Sequence, residues 1–292
     1  MSRSADLAII GNGALGIGLA VLAAEARLEV ACYGRAGARP SGTLHDPDSM
    51  RTATFVEATS ARVTLLVVKT YGLVEALRIH ANLLSHSDHV VVIRNGLSME
   101  ALASHPSSAR AIAWACAERT GRDEARWWTS ARLALRAGAV AASLEAVLSG
   151  VAQVQVDVVS GPQLEAWNYE KGMISAGLNA ITAAYAIAPG ALLLDPDRRA
   201  QAIAVAREIA GLASAKGVRV GSAEALVDDA ARGMGDFSPS MLQDLRSGRE
   251  IEVDEVLEAP LRELRARGLP RATLSSLVAT LKRRSVGRAV SF

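Results

Sequence analysis

Residues 6–20 read DLAIIGNGALGIGLA. The first five are a short apolar strand candidate. They run without a break into Gly11-Asn12-Gly13-Ala14-Leu15-Gly16, and then into a helical stretch over residues 17–26. A strand, a GxGxxG turn and a helix in immediate succession carry a specific physical meaning. The first glycine permits the tight turn, the second lets backbone approach a pyrophosphate, and the third lets helix and strand pack closely. The phosphates would lie against the amides that open the helix, where the helix dipole favours negative charge. The stretch therefore predicts a dinucleotide-binding βα unit at the start of the chain.

Outward from it, strand-like and helix-like pieces alternate. Residues 28–33, 63–68 (VTLLVV) and 89–93 (HVVVI) are apolar runs without clean polar alternation. Such runs suit strands covered on both faces of a parallel sheet, and their alternation with helices implies βαβ units. Beyond Gly161-Pro162 the pattern changes. Residues 164–188, 197–216, 222–234 and 250–268 read as helices separated by Gly and Pro. The expected fold class is α/β: a Rossmann-like dinucleotide-binding domain over residues 1–161, then an all-helical domain over residues 162–292 that holds substrate and catalytic groups.

Cofactor choice is read where the second strand ends. An NAD site usually has Asp or Glu there for the ribose 2′-hydroxyl. Here the strand ends Cys32-Tyr33-Gly34-Arg35, with no acid. Arg35 offers a planar fork suited to a 2′-phosphate, so the expected cofactor is NADPH. Lys69 follows the third strand and Asn95-Gly96 the fourth, both where βα loops meet a cofactor crevice.

In the second half, EKGMISAGLNAITAAY (170–185) is almost wholly small or apolar, yet carries Lys171, Ser175 and Asn179 at intervals of four. On a helix these form one stripe, with Thr182 beside it. A reductase acting on a ketone needs a donor at the carbonyl oxygen while hydride arrives at carbon. Lys171 suits that role, and the neighbouring hydroxyl and amide suit substrate binding. Downstream, SMLQDLRSGREIEVD concentrates Ser240, Gln243, Asp244, Arg249 and Glu252.

Five segments in order, GNGALG, VVKTYGLVEAL, NGLSMEAL, KGMISAGLNAITA and SMLQDLRSGREIEVD, resemble the ketopantoate reductases (2-dehydropantoate 2-reductases) over nearly the whole chain. The resemblance implies NADPH-dependent reduction of a 2-oxo acid to a 2-hydroxy acid, most directly ketopantoate to pantoate in pantothenate biosynthesis. By motif position Lys171 matches the catalytic lysine and Glu252 its partner carboxylate. Asn95 and Ser240 match substrate-binding positions, Lys69 a cofactor-site lysine, and Asn179 the second of two asparagines on the catalytic helix. Five positions depart from the family pattern. Ser175 stands for the first of those asparagines, Phe237 for an asparagine, Arg94 for a glutamine, and Leu257-Glu258 for Asn-Gly. Changed pocket partners alter substrate discrimination, so another oxo acid or an imine is an alternative substrate. A non-catalytic NADPH sensor is a second alternative.

The remaining signals exclude more than they suggest. The formal net charge is +2, with no polybasic block, so no nucleic-acid partner is expected. Cys32 and Cys116 lie far apart and form no CxxC. The five histidines show no metal-ligand spacing and are expected at surface loop or helix positions, so no metal is expected. No apolar run reaches the ~18 residues of a membrane span and no signal peptide is read. A cytoplasmic protein without membrane contact is the expectation, with a homodimer as the candidate assembly.

Overall fold

A computed structural model describes residues 3–35, 37–100, 102 and 105–288. Ala101, inside the NGLSMEAL segment, and the last four residues lie outside them. The described residues form two compact units. One comprises Met1–Arg94 and Met99–Leu164, the other Asn95–Ser98 and Glu165–Phe292.

The strands of the first unit are β1 (Ser4–Ile10), β2 (Val30–Gly34), β3 (Gly37–Ala38), β4 (Ser41–His45), β5 (Met50–Thr54), β6 (Ser60–Leu66), β7 (Ser87–Ile93), β8 (Ser108–Trp114), β9 (Ala117–Arg119), β10 (Glu124–Trp127), β11 (Ala131–Arg136) and β12 (Val154–Val159). The main sheet runs β12-β11-β8-β7-β6-β1-β2-β3. Its centre, from β8 through β7, β6 and β1 to β2, is parallel, with Ile9 opposite Cys32 on one side and Leu65 on the other. The chain leaves β1 toward β2 and later returns on β1's other flank as β6. That reversal of strand order is where open α/β sheets bind ligands, beyond the carboxyl ends of the strands.

Helix α1 (Ala14–Glu25) explains an oddity of the sequence. Residues Gly16 through Ala23 are all buried, so it has no polar face. A helix apolar all round must be covered all round. One side packs on the main sheet. A second, four-stranded sheet of order β5-β4-β10-β9 covers the other. Trp127 of β10 lies so close that a Cβ on Gly18 would sit 2.2 Å from its ring. The sequence reading did not anticipate this sheet. Its strands are short and rich in Ala, Arg and Thr, and lack the β-branched runs that mark the main sheet.

The other face of the main sheet is covered by α2 (Leu73–Ile79) and α3 (Ala81–Ser85). His80, between them, departs from the expected surface position. It is buried and tilts against Tyr33, with ring centroids 5.4 Å apart. Helix α4 (Ala139–Leu148) supplies Ala141, Leu144 and Leu148 to the core on the α1 side.

The second unit is built on one long helical run: α5 (Gly161–Met173), a wider π-helical stretch Ile174–Asn179, and α6 (Ala180–Tyr185). After it come α7 (Pro196–Ala215), α8 (Ala223–Met234), α9 (Ser240–Arg246), a second π stretch Asp254–Glu258, α10 (Ala259–Ala266) and α11 (Ala272–Arg288). Asp195 caps α7 by accepting from the Arg198 amide at 3.1 Å, with Pro196 at the first helical position. Ser222 caps α8 in the same way. The core joins Met173, Leu178 and Ile181 of the long run to Ile209 and Leu212 of α7 and to Leu274 and Leu281 of α11. No described helix is long and apolar enough to cross a membrane.

Candidate active site

The turn between β1 and α1 shows what its three glycines do. Gly11 adopts φ +128°, and a Cβ there would lie 2.1 Å from the Val67 carbonyl oxygen. A Cβ on Gly16 would lie 1.8 Å from the carbonyl oxygen of Gly11. Both contacts are backbone against backbone, so neither position accepts a side chain. At Gly13 nothing lies within 4 Å of where a Cβ would be. That open space adjoins the start of α1, where Gly13 caps the helix in extended conformation without a side-chain bond. Ala14, Leu15 and Gly16 begin the helix, and first-turn amides have no partner within it. Crowded backbone on two sides and clearance on the third fit a pyrophosphate held on amide donors. The structure therefore fits the dinucleotide.

The other expected cofactor residues of this unit lie at neighbouring strand ends. Asn12 is half-buried within the turn. Arg35 directly follows β2 and is exposed, and its Nε sits 3.4 Å from Glu75 of α2. Lys69 follows β6 and caps the single turn Thr70–Gly72.

Asn95, expected to serve both cofactor and substrate, belongs to the helical unit. Its Nδ2 donates to Glu252 Oε2 at 2.9 Å. Glu252 is only 7% exposed, so the amide partner offsets part of the cost of burying a carboxylate. The rest of the Asn95–Ser98 segment is fixed there too. Asn168, buried, donates from Nδ2 to the Leu97 carbonyl at 2.8 Å. Leu97 fills the space over Gly172, 2.5 Å from where a Cβ would sit. Gly96, at φ +94°, passes within 3.1 Å of the Glu255 carbonyl by the same measure. Asn168 escaped the sequence reading, although it lies three residues before Lys171 and so on a neighbouring helix face.

The expected polar row lies on the long helical run. Lys171 closes α5, and Ser175 and Asn179 both fall in the first π stretch. All three are half-buried. The wider turn shifts the phase of the last two relative to a regular helix. Asn179 Oδ1 is buried and has no hydrogen-bond partner among the described residues. An unused buried acceptor calls for a donor from elsewhere. Thr182 instead serves the backbone, donating to the Asn179 carbonyl at 2.9 Å. Ser240 opens α9 and is exposed, and α9 packs against the π stretch. The Asp254–Glu258 stretch, two residues past Glu252, packs against it as well. One unit thus gathers Asn95, Lys171, Ser175, Asn179, Ser240 and Glu252. π-Helical turns recur at functional sites in general. No group of three or more His, Cys, Asp or Glu among the described residues is arranged to hold a metal ion.

A switch-point glycine cradle, in a chain that goes on to an all-helical unit, marks the class of dinucleotide-binding proteins. Comparison with known proteins narrows the class. The family model for ketopantoate reductase PanE/ApbA matches residues 7–139, and that for the family's C-terminal domain matches residues 163–285. The chain belongs to the ketopantoate reductase PanE/ApbA family, oxidoreductases that act on CH–OH groups with NADPH as cofactor. A search of curated protein sequences found no match.

Solved structures share the fold. A PanE/ApbA family ketopantoate reductase from Ralstonia eutropha JMP134 is 22% identical with a TM-score of 0.82, over 98% of this chain and 100% of the other. A dimeric ketopantoate reductase from Staphylococcus aureus is 20% identical with a TM-score of 0.79, over 98% and 99%. A D-mandelate dehydrogenase, solved with NADH and anilino(oxo)acetate, is 16% identical with a TM-score of 0.82, over 99% and 100%. At these identities the likeness speaks for fold alone.

Proposed function

We propose that this protein reduces a 2-oxo acid to the 2-hydroxy acid, with ketopantoate to pantoate the leading reaction. The observation that carries the reading is the buried Glu252 carboxylate bonded to Asn95 in the unit that bears Lys171. When bound, NADPH supplies hydride. Lys171 then donates a hydrogen bond, and finally a proton, to the ketone oxygen as it gains charge. Asn95, Ser175 and Ser240 bind the acid through neutral donors. Asn179 Oδ1, an acceptor with no partner among the described residues, accepts from a substrate hydroxyl. Glu252 orients Lys171 from its amide-supported position. Gly11 to Gly16, with Arg35 and Lys69, hold the cofactor, and Asn95 contributes to both sites.

Phe237, half-buried just ahead of α9, favours a second reading in which the oxo acid is bulkier and more apolar. The D-mandelate dehydrogenase relative was solved with an aromatic oxo acid, which suits that reading. A role in pantothenate biosynthesis, a cytoplasmic location and a homodimeric state belong to the same proposal. The dimeric Staphylococcus aureus relative motivates the last of these.

The test is NADPH oxidation with ketopantoate beside a panel of apolar 2-oxo acids, in wild type and Lys171→Ala. Loss of a positioned general acid should lower kcat by roughly 10²–10⁴-fold while NADPH binding persists. Full turnover by Lys171→Ala would overturn its role. Selective turnover of an apolar acid would replace ketopantoate.

A further inference from the structure

In dinucleotide sites that take NAD, the side chain at the end of the second strand reaches the ribose 2′-hydroxyl. Here that strand ends at Gly34, which has no side chain. The space is nevertheless occupied. A Cβ on Gly34 would lie 2.9 Å from Arg39 Nη2, 3.0 Å from Arg39 Nε and 3.0 Å from Asn12 Cγ. A guanidinium therefore stands beside the glycine turn, where an acid would stand in an NAD site.

Arg39 is well placed to remain there. The β2–β3 hairpin, pairing Tyr33 with Ala38 and Gly34 with Gly37, folds the chain straight back. The Arg39 amide donates to the Cys32 carbonyl at 2.8 Å. Its side chain is only 12% exposed, and Nε lies 3.4 Å from Asp123 Oδ1. That contact is an ion pair without a hydrogen bond, and neither atom has a hydrogen-bond partner among the described residues. Arg35 is placed differently. Its side chain is 72% exposed and turned to α2, beside Glu75 and Gly72. Each guanidinium faces a carboxylate at 3.4 Å, so exposure is what separates them: solvent screens the charge of Arg35 far more than that of Arg39.

We propose that Arg39 selects the 2′-phosphate of NADPH over the 2′-hydroxyl of NADH, with Arg35 in a secondary role. The inference rests on the dinucleotide reading of the glycine cradle. A planar, permanently charged fork held in a largely buried position loses little freedom on meeting a phosphate. It also fills the volume from which an acid would accept the free hydroxyl.

Calorimetric titration with 2′,5′-ADP and with 5′-ADP separates the two ideas without turnover. In wild type 2′,5′-ADP should bind more tightly. Arg39→Gln should lose roughly tenfold or more of its affinity for 2′,5′-ADP while 5′-ADP affinity holds. Arg35→Gln should lose less. An unchanged ratio in a folded Arg39→Gln, or equal loss of both ligands, would overturn the proposal. If that variant does not fold, Arg39→Lys keeps the charge without the fork and should give up part of the preference; an unchanged ratio there would also refute it. If wild type binds neither ligand, the dinucleotide reading itself fails and takes this inference with it.

Discussion

The glycine turn and the long helical run both press backbone against backbone through glycine, and they do so over very different distances in sequence. At the β1–α1 turn, Gly16 meets the carbonyl of Gly11, five residues away. In the helical unit, Gly177 meets α7, where a Cβ would lie 2.7 Å from the Ala202 carbonyl oxygen. The first contact shapes a turn and leaves amide donors at a helix start. The second lets a π turn, carrying Ser175 and Asn179, nest against its neighbour. One site is made of backbone, the other of side chains whose aim depends on packing. The cradle should thus tolerate changes in its surroundings and fail when its own glycines change. The polar row should fail when its neighbours shift.

The sharpest way to break this comparison is at the cradle. Gly11→Ala combines a positive φ with a 2.1 Å approach to a carbonyl. It should destabilise the first unit by about 3 kcal/mol or more and abolish nucleotide binding. Gly13→Ala, with clear space around it, should leave the denaturation midpoint nearly unchanged and still weaken 5′-ADP binding. Unchanged 5′-ADP affinity in Gly13→Ala would mean the clearance at Gly13 has no role as a ligand space.

A smaller effect is expected at Gly177→Ala. Alanine regains up to ~1 kcal/mol of helix propensity, but the clash with the Ala202 carbonyl costs about 1–3 kcal/mol. A net loss on the order of 1 kcal/mol should appear in urea unfolding. If the packing sets the aim of Ser175 and Asn179, KM for the oxo acid should rise out of proportion to that loss. A stabilised variant with unchanged KM would show that the π turn does not depend on the close approach.

The smallest effect concerns His80. Burial pushes its imidazole below the ordinary value of 6.5, partly opposed by a hydrogen bond to the Gly34 backbone. The unfolded chain then binds the proton more readily than the folded one. Stability is fully present above about pH 6.5 and falls as pH drops toward the lower folded value. Urea midpoints across that range should show the decline in wild type and a shallower one in His80→Gln. A midpoint that rose on acidification would reverse the assignment.

The same contrast explains what could be read from the sequence. The parallel sheet was legible because VTLLVV and HVVVI announce strands covered on both sides. The cradle was legible because its three glycines fall at GxGxxG spacing within one short segment, where Gly16 meets Gly11 only five residues away. The bounds of α7 and α8 were nearly right, with α7 starting at Pro196 because Asp195 caps it, whereas the helices expected over 164–188 and 250–268 each include a π stretch. The small sheet was not legible, since β9 and β10 give AER and EARW, too short and polar to stand out. The π turn was invisible because α7, the helix it nests against, lies some way along the chain. Ser175 and Asn179 were recognisable as polar intrusions, but their phase was not. Arg39 was passed over because its relation to Gly34 exists only once the hairpin closes.

The two-sided cover of α1 has one more consequence, in hydrogen exchange. Sheet lies against both faces of that helix, and Trp127 is seated on Gly18 little more than a turn from Gly13. The helix behind the cradle cannot open without parting a sheet from it. Its interior amides should therefore exchange only through global unfolding, at rates as slow as those of the central strands. Carving Trp127 down to alanine should speed that exchange and raise the entropy lost when a dinucleotide is gripped, at a point remote from any atom that touches it.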